Sequence, residues 1–589
     1  MKAVQLLMLA HFTLATLDCK PEGPVVPRPS DLANSDAFKK GVSSIEKVLQ
    51  KALAGEITAG WATDNTSFSL AVVSVDQSSP ETPLWEYHHL AKKNVNGTKE
   101  LTRDSQYLIG SVSKVFSDLI LLKSGLNLDD PVTKYISQLN DPSSLISWGN
   151  VSLRALGSQL SGTPANFGFS EYHFLKHYLE TFGLPSLDDD AFASCGVTGL
   201  NKACTRDELL KGMLKTQPIT APMERPAYSN LAFTLLIFAV EQVTGKDYTK
   251  LVLELITEPL GLRNTSPSPG DTQKAVIPPV DNSWGSDYGL NAPGGGLVSS
   301  LSDLSALAHG ILSRTILSPT ETREWLKPHS FVGSPYSFAG FPWEIYRPPA
   351  LVPEHPHQVT IYAKSGGAYG YRSQFAILDE YGIAVILLSA GDMAAVPYIY
   401  DALLSTFVPA VDAIAREQAD SLTGTFTSGT KTDGKGACVD ATIVQDADSL
   451  LLSGLSRNGS DILSAITKIW TLTVGKHLTP INSTFRLFPT EDARKDTLDG
   501  KTILRESWRL WFSPVYGDAS DLPGKGLGSH DCTSWTLNDW IYYGSEPIDR
   551  FVFVRDAENG EVLGLEVPFL RSGLLGRVGP RRSDESVGC

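Results

Sequence analysis

The sequence contains little cysteine and few basic residues for its length, and both shortages exclude classes of protein. Six cysteines in 589 residues are too few for a scaffold built on disulfides, and no Cys-x-x-Cys spacing occurs that would indicate a redox motif or a cysteine-rich zinc site. Lys and Arg number 50 against 65 Asp and Glu, a net charge of −15. Because nucleic-acid binding requires a basic surface, we expect no such partner.

The sequence also lacks a long apolar run after its first residues. The strongest run, Leu231–Val240, ends at Glu241 and is shorter than the ~18 residues of a membrane span, so it predicts a buried core helix. Ala3–Ala15 is an apolar stretch of signal-peptide length, and the prolines of residues 21–29 oppose its continuation as an amphipathic first helix. We therefore expect a signal peptide over residues 1–17, a secreted extracellular protein and no membrane span.

Several widespread catalytic signatures are absent as well. No Gly-x-Ser-x-Gly nucleophile elbow, Walker sequence or dinucleotide fingerprint occurs, which weighs against an α/β-hydrolase, a P-loop enzyme and a dinucleotide-binding fold. His355 and His357 form a close pair without neighbouring ligands, so a metallo-hydrolase is not expected. The sequence thus predicts neither a metal nor a cofactor.

Two further features are typical of a eukaryotic secretory protein. In an oxidising compartment we expect disulfides between Cys195 and Cys204 and between Cys438 and Cys532, although the cysteine count leaves the connectivity open. Cys19 lies at the expected cleavage site and Cys589 ends the chain. Six Asn-x-Ser/Thr sequons predict glycosylation on surface turns, at Asn65, Asn96, Asn150, Asn264, Asn458 and Asn482.

Helix and strand patterns alternate between residues 36 and 413. This alternation predicts an α/β (α+β) domain in which helices cover a sheet. The proline-rich residues 18–35 before it predict an extended linker. The predicted helices are Phe38–Leu53, Lys114–Lys123 and Leu231–Val243, and the predicted strands are Phe68–Val75, Gln358–Ala363, Gln374–Leu378 and Ile383–Leu388.

Residues 414–576 have a different pattern. Short apolar or aromatic runs alternate with Gly, Asp and Asn turns, which is typical of an all-β module. Residues 577–589 predict a loose tail. The strand-like runs are Leu422–Phe426, Ser449–Ser453, Ile469–Val474, Thr484–Phe488, Trp508–Phe512 and Phe551–Val554.

The segment around Ser111 is the first candidate for chemistry. Ser111 opens a stretch of helical periodicity, and Lys114 projects from the same face three residues later. A serine hydroxyl needs a nearby base, and a lysine whose ammonium is disfavoured by burial can accept its proton. The alternative is a helix-capping serine followed by a solvated lysine.

Two later segments carry matching polar groups. Tyr228 and Asn230 lie two residues apart before an apolar helix and can relay a proton and hold a polar group, although Tyr packing and Asn capping would also explain them. Lys364, Ser365, Gly366 and Gly367 follow one another at a predicted strand end. Small residues there let a substrate approach the backbone, but an ordinary glycine-rich hairpin with a surface lysine fits too. Four aromatic residues are candidates for the pocket wall: Trp284, Tyr288, Tyr369 and Tyr371.

Taken in order, Ser-Val-Ser-Lys, Tyr-Ser-Asn and Lys-Ser-Gly resemble the three motifs of the serine β-lactamase and penicillin-binding-protein superfamily. The Tyr-x-Asn form is similar to the branch of class C β-lactamases, D-alanyl-D-alanine carboxypeptidases and related esterases. Two departures occur: Ser365 stands where Thr is common, and Gln159 replaces a frequent His. The resemblance covers roughly residues 36–410 and includes supporting stretches at residues 126–136, 151–162, 258–266 and 294–308.

The resemblance implies a β-lactamase/transpeptidase-like mixed sheet covered by helices, and a C-terminal module similar to a lipocalin-like barrel. It implies a serine hydrolase that cleaves an ester or amide of a small molecule or short peptide. Ser111 would be acylated, with Lys114 and Tyr228 sharing the base role. Asn230, Lys364, Ser365 and Gly366 would bind substrate, and the backbone N–H groups of Ser111 and Gly367 would form the oxyanion hole. An acyltransferase of the same fold and an inactive binding or sensing relative remain alternatives.

Overall fold

A computed structural model describes residues 19–578 except 170–174, 189–190, 192, 198–200, 349–350, 429–436 and 516–531. The predicted signal peptide 1–17 and all of the predicted tail after Val578 lie outside the described residues. The chain divides into two units. One comprises Pro29–Leu351 and Val359–Ile414, and the other comprises Met1–Arg28, Val352–Gln358 and Ala415–Cys589.

The first unit is built on an antiparallel sheet of eight strands in the order β2-β1-β13-β12-β11-β10-β9-β8. Its strands and those of two small sheets are β1 (Ser67–Ser74), β2 (Trp85–His89), β3 (Asn96–Gly97), β4 (Gln106–Leu108), β5 (Ser266–Pro267), β6 (Val276–Ile277), β7 (Leu297–Ser300), β8 (Ser330–Phe331), β9 (Ser337–Ala339), β10 (Glu344–Tyr346), β11 (Ile361–Ala368), β12 (Tyr371–Leu378) and β13 (Ile383–Ala390). Every residue of β1 and β13 is buried, as expected for apolar strands covered on both faces.

Helices cover this sheet, which confirms the predicted fold class. The helices are α1 (Asp36–Ala54), α2 (Ser113–Lys123), α3 (Leu153–Gly157), α4 (Lys176–Glu180), α5 (Arg206–Met213), α6 (Leu231–Thr244), α7 (Tyr248–Val252), α8 (Glu258–Leu260), α9 (Ala292–Gly295), α10 (Leu301–Leu312), α11 (Pro319–Leu326) and α12 (Ala395–Ala419). Helix α2 contacts α6 and α9, while α10 contacts β1 and β13. The first ten residues of α6 are all buried, so the prediction of a core helix there is confirmed.

One described segment, Ala395–Leu422, is long and apolar enough to cross a membrane by length and composition alone, with a mean hydropathy of 1.2. Half of its apolar window is buried inside the protein. Within it the Phe407 ring lies 5.4 Å from that of Phe38 and 5.1 Å from that of Trp85. The role of a packed core helix therefore accounts for its composition.

The second unit contains a closed antiparallel barrel of eight strands, which confirms the predicted all-β module. The sheet runs β15-β14-β24-β23-β22-β19-β18-β16, and β16 pairs back with β15 to close it. Its elements are β14 (Gly424–Thr427), β15 (Val439–Gln445), β16 (Leu450–Arg457), β17 (Ser460–Asp461), α13 (Ile462–Leu472), β18 (Arg486–Leu498), β19 (Lys501–Trp511), β20 (Tyr542–Tyr543), β21 (Glu546–Pro547), β22 (Arg550–Asp556), β23 (Val562–Glu566) and β24 (Leu574–Val578).

The prediction of a strand at Ile469–Val474 is wrong, because the first four of these residues belong to the last turn of helix α13. The Asp461 side chain caps this helix by accepting a hydrogen bond from the Ser464 backbone N–H at 3.2 Å. Ile466 and Trp470 are both buried and lie four residues apart, which is helical spacing. The apolar run thus belongs to one face of an amphipathic helix.

The N-terminal segment predicted as an extended linker, residues 18–35, packs in part on the barrel unit. One of the two predicted disulfides is wrong. Cys532 is bonded to Cys19, not to Cys438, which is itself disulfide-bonded. The Trp511 indole donates a hydrogen bond to the Cys19 carbonyl at 2.6 Å, so the N-terminal segment is held on the barrel unit. Residues 25 and 26 are buried in the same unit's core. The other predicted disulfide, between Cys195 and Cys204, is confirmed.

One predicted glycosylation turn is also wrong. Asn264 is 4% exposed, and its side-chain amide donates a hydrogen bond to Asp104 at 3.2 Å. Its backbone N–H donates to the buried Asp303 at 2.7 Å. This sequon therefore lies inside the protein and not on a surface turn. Among the other sequons, Asn96, Asn150 and Asn458 are exposed and Asn65 and Asn482 are partly buried.

Candidate active site

Ser111 lies in a short 3-10 turn, Gly110–Val112, that joins β4 to helix α2. It therefore lies just before helix α2, which begins at Ser113, one residue before the predicted helix. Gly110 has φ +53°, and an added Cβ would lie only 2.4 Å from the Gly367 nitrogen. Glycine at 110 thus lets strand β11 approach the serine turn closely. The Ser113 hydroxyl donates to the Gly110 carbonyl at 2.7 Å and holds the turn.

Lys114 is fully buried beside this serine. Its ammonium donates to Ser111 Oγ at 3.0 Å, to Asn230 Oδ1 at 2.5 Å and to the Gly294 carbonyl. The alternative of a solvated lysine is therefore wrong. Burial lowers the pKa of Lys114 to about 8, because the attraction of Tyr228 offsets only part of the cost of desolvation. An amine of this pKa can lose its proton near neutral pH.

Tyr228 completes the contacts of the serine. Its hydroxyl donates to Ser111 Oγ at 2.6 Å. The ring lies 4.8 Å from the Lys114 ammonium and 5.3 Å from that of Lys364. Burial alone would raise the pKa of Tyr228, but the two ammonium charges outweigh it and lower that pKa below its ordinary value.

Asn230 precedes α6 but does not cap it with its side chain. The hydroxyl of Ser229 accepts the hydrogen bond from the Ala232 backbone N–H at 2.9 Å instead. The Asn230 amide is therefore available to bind Lys114 through oxygen and to donate to Asn166 Oδ1 at 2.9 Å through nitrogen. The capping interpretation of Asn230 is wrong.

Lys364 lies within strand β11 and is 1% exposed, so the interpretation as a surface lysine in a hairpin turn is wrong. It forms an ion pair with Glu344 on the neighbouring strand β10 and donates to the Ser365 carbonyl at 3.0 Å. Burial alone would raise the pKa of Glu344, but the Lys364 charge and hydrogen bonds from Ser365 lower it. At Gly366 an added Cβ would lie 2.0 Å from the Ile109 carbonyl oxygen, so only glycine fits there.

A cavity of about 690 Å³ adjoins these residues, and Ser111, Asn230 and Gly367 line it. Two of the four candidate aromatic residues, Tyr288 and Tyr369, line it as well. The other two are not among its lining residues, and the Tyr371 hydroxyl is buried as a donor to the Val276 carbonyl at 2.9 Å. The predicted catalytic and substrate-binding residues thus lie together around the Gly110–Val112 turn and strand β11, an interior strand of the sheet.

Three positions of the site were missed or undervalued from sequence. Glu344 belongs to no motif, and only the pairing of β10 with β11 places it opposite Ala363 beside Lys364. Asn166 supports Asn230, and no sequence signal points to it. Gln159, expected to be a simple replacement, has φ +63° and accepts the Ser229 backbone N–H at 2.6 Å. It thereby fixes the peptide between Tyr228 and Asn230.

Comparison with known proteins identifies the family. The beta-lactamase family model matches residues 83–405, more than half of the chain. The chain belongs to the beta-lactamase family. A second model, described as the C-terminal domain of beta-lactamase-like proteins, matches residues 414–577 of this beta-lactamase-family chain.

Relatives of this family member share nearly its whole length. A beta-lactamase-like protein of Arthroderma benhamiae is 46% identical, over 95% of this chain and 96% of that protein. A probable hydrolase of a Phoma species is 27% identical over 85% of this chain and 84% of its own length. A probable hydrolase of Cochliobolus lunatus is 26% identical over 86% and 85%. Family membership and these relatives support hydrolase activity.

Proposed function

We propose that this beta-lactamase-family chain is a serine hydrolase that cleaves an ester or amide through an acyl-enzyme on Ser111. One observation carries the proposal. Ser111 Oγ lies 3.0 Å from the ammonium of the buried Lys114 and 2.6 Å from the Tyr228 hydroxyl. A hydroxyl held between an amine of lowered pKa and a phenol of lowered pKa has a route for its proton at neutral pH.

In the proposed acylation, Ser111 Oγ bonds to the substrate carbonyl carbon while its proton passes to the pair formed by Lys114 and Tyr228. The carbonyl oxygen becomes an oxyanion and accepts hydrogen bonds from the backbone N–H groups of Ser111 and Gly367, each contributing about 3 kcal/mol. The bond from carbon to the leaving group then breaks. The leaving group takes the proton from the same pair and departs neutral.

Deacylation reverses these roles. Water attacks the acyl carbon and gives a proton to the pair of Lys114 and Tyr228, and the ester bond to Ser111 Oγ breaks as that oxygen takes the proton back. Asn230 holds the Lys114 ammonium toward the serine at 2.5 Å. Lys364 keeps positive charge near the Tyr228 ring at 5.3 Å. No step requires a metal or cofactor.

Labelling with a fluorophosphonate and turnover of short-chain aryl esters test this function together. We expect one covalent adduct on the tryptic peptide that contains Ser111 and loss of both label and turnover in Ser111→Ala. Ser124→Ala, at the end of the same helix, is the control and should keep both. An unlabelled wild-type enzyme, or a Ser111→Ala variant that still turns over esters, would refute the proposal. Addition of alcohols or amines then separates transfer from hydrolysis.

We also propose that the enzyme is secreted and glycosylated. The apolar residues 1–17, the disulfides of Cys19 with Cys532 and of Cys195 with Cys204, and the exposed sequons support this. Glycopeptide mapping after expression in a eukaryotic secretory host tests it, with glycans expected at Asn96, Asn150 and Asn458. Retention of the protein in the cytosol, or complete absence of glycan, would contradict the proposal.

A further inference from the structure

The Lys364 ammonium, in the third of the three motifs, is bound by another side chain of the protein. Lys364 is 1% exposed and forms an ion pair with Glu344. The second carboxylate oxygen of Glu344 accepts the backbone N–H of Ser365 at 2.9 Å. The Lys364 ammonium donates in turn to the Ser365 carbonyl at 3.0 Å. These contacts hold the Lys364 ammonium against a carboxylate and engage the backbone of the residue that follows it.

The cavity beside Ser111 is lined by uncharged side chains over the part of the chain that the structure describes. Its described lining residues include no Lys, Arg, Asp or Glu, but four asparagines at positions 166, 201, 230 and 291. The Lys114 ammonium is fully buried and turned toward the serine and Asn230. The Arg372 guanidinium donates to the carbonyl of Met393 at 3.2 Å. A substrate group in this cavity thus meets amides and apolar side chains.

A second cavity, of about 400 Å³, adjoins Tyr228. Tyr228 lines it, together with apolar residues such as Phe338 and Trp343. Among the described residues that line it, Glu344 is the one with a charge. Because Tyr228 is proposed to return the proton to the leaving group, the leaving group departs over this cavity. It therefore meets a carboxylate and not a free ammonium.

We infer that the site selects uncharged substrates: neutral esters or amides with a large acyl group in the cavity that the four asparagines line and an apolar leaving group without a carboxylate. The inference rests on the proposed function. Glu344 acts as a specificity-determining residue, since it holds Lys364 and presents negative charge to the leaving group. A carboxylated leaving group would lose hydration without gaining a free cation and would be repelled by Glu344.

A matched pair of substrates tests the inference. Both carry the same N-phenylacetylglycyl group, esterified either to 3-hydroxybenzoic acid or to its methyl ester. We expect kcat/KM for the methyl benzoate ester to exceed that for the free acid by at least about tenfold, because the carboxylate of the acid meets that of Glu344 and no free cation. In Glu344→Gln the ratio should fall by about tenfold, mainly through a lower KM for the acid.

Glu254→Gln is the matched control, because it removes the carboxylate of another Lys–Glu pair, Lys246 with Glu254, at an exposed position. This variant should keep the wild-type ratio. A wild-type ratio of one or less, with Ser111 labelled by fluorophosphonate, overturns the inference and leaves the proposed function intact. No label on Ser111 and no turnover of either ester overturns both. The wild-type ratio decides the matter even where Glu344→Gln does not fold.

Discussion

Lys114 and Lys364 face the same Tyr228 ring from distances of 4.8 Å and 5.3 Å, and both are almost completely buried. Their partners differ. Lys114 is surrounded by a hydroxyl, an amide oxygen and a backbone carbonyl, whereas Lys364 has the carboxylate of Glu344. Lys114 thus has uncharged hydrogen-bond partners and is placed to act as a base, whereas Lys364 is held in an ion pair.

Removal of each lysine gives the largest expected effect. Lys114→Met should lower kcat for a neutral ester by about 10³-fold or more, since Ser111 loses its base. Lys364→Met should lower it by only about 10-fold to 100-fold, since this charge acts on the serine through Tyr228. Initial rates, with circular dichroism melts as a check on folding, provide the measurement. Equal losses of kcat in the two variants would contradict the proposed difference between the two lysines.

Tyr228→Phe should have the next largest effect. It removes the hydroxyl 2.6 Å from Ser111 Oγ but keeps the ring between the lysines. We expect kcat to fall by about 10²-fold with little change in KM, because the lost interaction is with the moving proton. Steady-state kinetics on the neutral ester decide this. A loss below about fivefold would leave Lys114 as sole base.

The pH dependence of kcat/KM provides a further test of the role of Lys114 as the base. A protonated amine cannot accept the serine proton, so kcat/KM should rise with pH and level off above about 8, the pKa of Lys114. Glu344 raises the pKa of Lys114, and Glu344→Gln should therefore move the midpoint to lower pH. Rate profiles from pH 5 to 10 provide the test. A midpoint that moves upward in the variant would contradict this electrostatic account.

Much of the site could be predicted from sequence, because its groups lie in short segments. Ser111 and Lys114 are three residues apart, and Tyr228 and Asn230 two apart, so local periodicity placed each pair on one face. Glu344 could not be found in this way, since its contact with Lys364 depends on the pairing of β10 with β11.

The fold shows the same limit. Continuous apolar runs predicted the central strands closely, as at β13, where the observed strand extends the prediction by two residues. Ile469–Val474 was misassigned because a short apolar run does not separate a strand from one face of a helix. The bond between Cys19 and Cys532 joins positions at opposite ends of the chain, and cysteine spacing cannot specify such a pair.

The smallest expected effect concerns Asp118, one helical turn after Lys114. It is fully buried, and neither carboxyl oxygen has a hydrogen-bond partner among the described residues. Burial raises its pKa well above the ordinary value, which Lys114 opposes only in part. The folded protein thus holds the proton, and stability falls as pH rises above ~3.9, where the unfolded carboxyl ionises. Asp118→Asn should raise Tm by a few degrees at pH 7 but not near pH 4.

Asp303→Asn is the matched control for that measurement. Asp303 is also buried, but its carboxylate accepts hydrogen bonds from Asn264 N–H at 2.7 Å and from the Thr265 hydroxyl at 2.7 Å. Its replacement should lower stability by about 1–3 kcal/mol, because buried donors lose an acceptor. Melting curves at pH 4 and pH 7 compare the two variants. A loss of stability in Asp118→Asn at pH 7 would show that this carboxyl has a favourable partner.

Trapping of the acyl-enzyme is the most direct test of the proposal that Ser111 is the nucleophile. A neutral aryl ester is mixed with enzyme, quenched with acid after a few milliseconds to seconds, and analysed by intact mass and peptide mapping. We expect one acyl group per chain, carried by Ser111. It should form as fast as the burst of released phenol. A burst without an adduct, or an acyl group carried by another residue, would contradict it.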